Sequence, residues 1–160
     1  MQKITIVCVG KLKDAFYRDA SEEYLKRLKA YCKAEIIEIQ PVSLPENPSE
    51  GEIRNALETE GDRIIKKIPP NSTAVAMCVE GETYSSEDLA RLIGSASMKN
   101  GGSVTFVIGG SYGLSDKVKN AAQIKMSASK MTFPHRLFRV MLLEQIYRAF
   151  TIINGGKYHK

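Results

Sequence analysis

An α/β fold with a mostly parallel sheet flanked by helices is predicted by three features of the sequence. Short runs rich in β-branched and aromatic residues recur along the chain, helix-length segments separate them, and two of those segments open on capping signatures. Strands that alternate with helices tend to run in one direction and to be covered on both faces.

The strand-like runs are Lys3 to Val9 (KITIVCV), Ala34 to Ile39 (AEIIEI), Thr73 to Val79 (TAVAMCV), Ser103 to Ile108 (SVTFVI) and the weaker Ile124 to Ser127. Between the first two, apolar residues at Phe16, Ala20, Tyr24, Leu28 and Tyr31 repeat at close to 3.6 residues and predict a helix from about Asp14 to Tyr31. The Pro-rich loop PVSLPENPS leads into a capping box, Ser49 to Glu52, whose helix runs to about Lys67, where PPNS stops it. A third helix begins at Ser85 or Ser86, where SSED supplies a capping hydroxyl and early acids. A short fourth starts at Ser115.

The last helix, 134 to 152, has Pro134 at its start, Thr132 as a candidate cap and Phe133 as a candidate hydrophobic staple. Leu143, Tyr147 and Phe150 share one face, and Glu144 pairs with Arg148 at i,i+4. No internal repeat or linker divides the chain, so residues 1–160 read as one domain.

Composition narrows the function classes. With 43% hydrophobic and 26% charged residues the chain is globular rather than disordered, and no apolar run is long enough to span a membrane. The opening MQKITIVCVGKLKD lacks a cleavage-site pattern, so a cytoplasmic location is expected. Cys8, Cys32 and Cys78 are odd in number and widely spaced, and read as small buried hydrophobes. Two histidines and no Cys/His cluster predict chemistry without a metal. The net charge is +5, and the cations concentrate after residue 125, which makes that end the place for a nucleic-acid partner.

Three stretches carry candidate chemistry. VTFVIGGSYGLS, residues 104 to 115, sets Gly109, Gly110 and Gly113 after a strand; a ligand-binding loop and a plain tight turn both fit it. ASKMTFPHRLFRV, residues 128 to 140, brings His135, Arg136 and Arg139 to a helix N-terminus, where a phosphate contact and a solvated basic face are both open. The terminal NGGKYHK is either a frayed end or a tail that folds back over a pocket, with Tyr158 suited to stacking on a base and His159 to handling a proton.

The succession IGGSYGLS, S-x-SKMTFPH, R-V-x-L-x-EQIYRA and a terminal YHK resembles the RlmH family of 23S ribosomal RNA methyltransferases, small members of the SPOUT class. The likeness extends to the opening ITIVCVGKLKD and to the PEN and EG-x-R-I segments, so it spans the chain. It implies a C-terminal deep trefoil knot, a homodimer in which a second subunit completes the site, and methyl transfer from S-adenosylmethionine to N3 of a pseudouridine in helix 69 of 23S rRNA, on assembled ribosomes.

Carried across by position, the resemblance implies that Met77, Gly109, Gly110, Ala128, Ser129, Lys130, Met131, Thr132 and Phe133 hold the cofactor. Proton handling then falls to His159 first and His135 second, with Tyr158 orienting the base. Arg136, Arg139, Lys157 and Lys160 are expected on RNA phosphates, and the apolar face of helix 134 to 152 is the candidate dimer interface, with core packing as its alternative. Two competing functions remain: a non-catalytic RNA-binding module on the ribosome, and a nicotinamide-nucleotide enzyme, which the absent G-x-G-x-x-G disfavours.

Overall fold

The computed structural model describes residues 1–160 apart from the side chain of Asn100. Strands β1 (Lys3–Val9), β2 (Lys33–Ile39), β3 (Ser72–Thr83), β4 (Ser103–Ile108) and β5 (Ile124–Ser127) alternate with helices α1 (Ala15–Leu28), α2 (Glu50–Ile65), α3 (Ser86–Met98), α4 (Asp116–Ala121) and α5 (His135–Ile153). The strands form one sheet in the order β2-β1-β4-β3-β5, and every pairing is parallel.

The central strands β1 and β4 are buried almost end to end, as their uninterrupted apolar runs require. On one face, Leu28 of α1, Ile93 of α3 and Leu143 and Ile146 of α5 pack against Ile4, Ile6 and Phe106. On the other, Ile64 of α2 and Val118 of α4 pack against Val7 and Val107. Each large side chain fully buried in these layers contributes about 1.5–3 kcal/mol. The Ser49–Glu52 capping box forms, and Ser85 with Asp88 makes a second: each serine accepts from the amide three residues on, and each carboxylate accepts from the serine amide.

Three expectations need correction. First, β3 does not stop at Val79 but runs on to Thr83, with a register break between Met77 and Glu82. Gly81 sits in that break, and a Cβ there would lie 2.6 Å from the Met126 backbone, so the two strands touch main chain to main chain. Second, α5 starts at His135, with Pro134 at the N-cap and no side-chain cap. Thr132 stands two residues outside, too early to reach the first free amides. Third, the apolar face of α5 is occupied within the chain: Leu143 is fully buried and Phe150 nearly so, packed with α1 and α3. Core packing, the alternative, takes up Leu143 and Phe150, while Tyr147 stays half-buried.

Candidate active site

At the C-terminal ends of β3, β4 and β5 the chain encloses a cavity of about 740 Å³, within the range of small-molecule and cofactor sites. Four segments wall it. The first is the overhang of β3 from Met77 to Glu80, which the break at Gly81 carries past the sheet edge.

The second wall is the glycine loop after β4. The Gly113 amide donates to the Gly110 carbonyl at 3.0 Å, closing a tight turn with Ser111 and Tyr112 at its tip. Gly113 takes φ +81°, and a Cβ on Gly109 would lie 2.3 Å from the Gly113 carbonyl oxygen, so only glycine fits at either place. The loop is thus a tight turn, and it also forms a wall of the cavity.

The third wall is the segment from Ser127 to Pro134, ordered by its own hydroxyls. Ser127 Oγ donates to the Ser129 carbonyl at 2.9 Å, and Ser129 Oγ accepts the Met131 amide at 3.0 Å. The fourth is the first turn of α5, which contributes His135 and Phe138. Of the expected cofactor residues, Met77, Gly109, Gly110, Ala128, Ser129, Met131, Thr132 and Phe133 all line this one cavity; Lys130 does not.

The walls are largely apolar, and their polar groups are mostly backbone and hydroxyl. Such a surface suits a small, partly apolar ligand, with orientation set by main-chain donors and acceptors. Its ionic groups at the rim are Glu80 and Lys119, which pair with each other; that contact holds the Glu80 carboxyl below its usual range. Sequence reasoning missed these two, together with Tyr112 and Phe138. The signal for the first was the Gly81 break, which turns the end of β3 into a cavity wall.

His135 is half-buried in the cavity, and its pKa is pushed down by burial, then by the charges of Arg136 and Arg139. Its imidazole is therefore neutral at physiological pH and able to accept a proton. Arg136 lies 3.8 Å from Asp14 and stays partly exposed. Arg139 is different. It is 3% exposed, donates to the Gly10 carbonyl at 2.9 Å and faces Glu38 at 3.5 Å. The expectation that it contacts RNA is corrected: its charge is enclosed between β1, β2 and α5. The same guanidinium neighbours Cys8, whose thiol burial pushes up to about 12, so Cys8 is an inert core residue.

Tyr158 and His159 sit away from the cavity of their own chain. Tyr158 lies edge-on to Tyr147 at 4.8 Å, carries the Arg148 guanidinium over its ring at 4.7 Å and donates to Glu144 at 3.1 Å. Burial and the hydrogen bonds to Tyr24 and Glu144 raise its pKa to about 12, so the hydroxyl keeps its proton. His159 Nε2 is 2.8 Å from Glu87, and its Nδ1 is 3.4 Å from Arg148. The tail is thus docked on α3 and α5 rather than frayed, while Lys157 and Lys160 remain exposed.

Among the described residues no cluster of His, Cys, Asp and Glu could hold a metal, and no helix is long and apolar enough to cross a membrane. A family model described as "Predicted SPOUT methyltransferase" matches residues 2–159. Proteins named ribosomal RNA large subunit methyltransferase H from Clostridium acetobutylicum and Clostridium tetani are each 50% identical over 157 residues, 98% of this chain and 99% of theirs. In fold, the chain is similar to a crystal structure from Porphyromonas gingivalis described as a probable rRNA-methyltransferase. The TM-score is 0.51 at 11% identity, over 95% of this chain and 70% of that one. Near-complete coverage by the family model, joined to half-identity with the Clostridium proteins, shows that the chain belongs to the SPOUT methyltransferase family, in its ribosomal RNA large subunit methyltransferase H branch, with S-adenosylmethionine as methyl donor and the knotted α/β fold that the family implies.

Proposed function

We propose that the chain methylates N3 of a pseudouridine in helix 69 of 23S rRNA, acting on assembled ribosomes as a homodimer. The observation that carries this reading is the meeting of nearly all the family-pattern residues around one apolar cavity with a neutral histidine at its edge. The cytoplasm is the location that such a substrate requires.

Bound in the cavity, the cofactor supplies an electrophilic methyl group. The chain's own task is to hold the target base at attack distance and to remove its N3 proton, because a protonated imide nitrogen is a poor nucleophile. His135 takes that proton within the chain that holds the cofactor. His159, placed first on the resemblance, has both ring nitrogens engaged by Glu87 and Arg148 on the far side of α5. Tyr158 and His159 reach a cavity only from a second subunit, which makes the site composite. There Tyr158, whose hydroxyl proton is given to Glu144, orients the base by stacking. Met131 and Tyr112, both largely exposed at the cavity mouth, are the surfaces on which that base enters. Arg136, Lys157 and Lys160 neutralise phosphates around it.

The test is mass spectrometry of helix 69 fragments after reaction, using ribosomes that carry pseudouridine and ribosomes that carry uridine at the same positions. One added methyl, present only with pseudouridine and located on N3, is the expected result; equal methylation of both overturns the base assignment.

A further inference from the structure

The loop between β1 and α1, Gly10 to Asp14, lies at the same end of the sheet as the cavity and against the first turn of α5. It is held at several points. Gly10, at φ +89°, donates its amide to the Ile39 carbonyl at 2.8 Å and accepts from Arg139. Leu12 is buried, and Arg18 caps the Leu12 and Lys13 carbonyls at 3.3 and 2.7 Å.

A loop anchored in this way has its backbone entropy removed before any ligand arrives. The alternation around buried Leu12 leaves Lys11 and Lys13 exposed. Among the described residues neither lysine pairs with a carboxylate. The nearby acids are already engaged, Asp14 by Arg136 and Glu38 by Arg139. The result is a rigid segment with two free ammonium groups and a guanidinium behind them, next to the helix turn that carries His135. Point cations on a fixed backbone suit phosphate oxygens.

We propose that Lys11 and Lys13 form a phosphate-contact element that positions the RNA strand across the cavity mouth. This rests on the reading of the substrate as ribosomal RNA. The experiment is binding of the double variant Lys11→Gln/Lys13→Gln to ribosomes from cells lacking this protein, over a salt series. Lys66→Gln/Lys67→Gln, which removes the same charge where α2 leads into the start of β3, at the opposite end of the parallel sheet, is the control.

The loop variant is expected to lose about tenfold in affinity and to show a salt slope shallower by about 1 per lysine. Binding of S-adenosylhomocysteine and the affinity of the control variant for ribosomes are expected to stay unchanged. A loop variant with the parent slope, or a control variant that loses as much, overturns the proposal. If the parent protein itself fails to bind ribosomes in a salt-dependent way, the RNA reading falls, and the loop assignment falls with it.

Discussion

The Arg139 guanidinium donates to the Gly10 carbonyl at 2.9 Å, joining the last helix to the end of the first strand across 129 residues of chain. The bond satisfies a part-buried main-chain oxygen just past the C-terminal end of β1, and leaving such an acceptor without its partner costs about 1–3 kcal/mol. Arg139→Met, which keeps most of the stem, is therefore expected to lower unfolding free energy by about that amount in urea titration. Its ribosome affinity is expected to keep the parent salt slope, because the charge never reached a phosphate.

Gly109 and Gly81 face main chain, not flexible side chains, at 2.3 Å and 2.6 Å from an ideal Cβ. Alanine at either position forces a backbone shift in a cavity wall. Gly109→Ala and Gly81→Ala are each expected to destabilise by about 4 kcal/mol or more. Thermal unfolding checks the loss, and S-adenosylhomocysteine titration checks the cavity in any folded fraction. Gly51, exposed on α2 with only Ser49 Oγ at 3.9 Å, is expected to accept alanine without loss.

The depressed pKa of His135 fixes the sign of two pH effects. As a base it must be neutral, so kcat/KM is expected to stay level as pH falls through 6.5 and to drop only below it. Its folded pKa lies below the unfolded value, so protons favour the unfolded chain and stability declines as pH falls below 6.5. His135→Gln is expected to flatten that decline and to reduce turnover by about 10²–10⁴-fold while leaving cofactor binding intact. Turnover near the parent value would remove His135 from the chemistry.

A composite site makes a further prediction about mixed subunits. A chain with His135→Ala and a chain truncated after Gly156 are each expected to be inactive as homodimers. Co-expressed, half of their dimers pair one defect with the other, and one of the two sites in each is intact. Methyl transfer is then expected to return to about a quarter of the parent level. No recovery in verified heterodimers would place the tail and His135 in the same subunit.

The strands, the Ser49–Glu52 capping box and the capping hydroxyl of the third helix were legible because local chemistry decides them: β-branched runs between turn residues, and Ser followed closely by acids. The extension of β3 was not, since EGET carries neither strand period nor core character and is held by main-chain contact with β5. Around the cavity, the residues at one strand end and one loop could be read by position. The Glu80–Lys119 pair joins β3 to α4 through space and leaves no mark in sequence spacing. The basic cluster at 135 to 139 misled for a related reason. Arg136 and Arg139, three residues apart, share one side of α5, so spacing does not separate them; Arg136 stays partly exposed beside Asp14, and only the Gly10 carbonyl shows that the Arg139 cation is tolerated in burial.

The most direct test of the function is transfer of labelled methyl from S-adenosylmethionine to purified ribosomes, comparing ribosomes from cells that lack this protein with ribosomes from normal cells. The account predicts label in helix 69 of the deficient ribosomes and none in the others, whose site is already methylated. Confirmed cofactor binding with no label in helix 69 of the deficient ribosomes would contradict it.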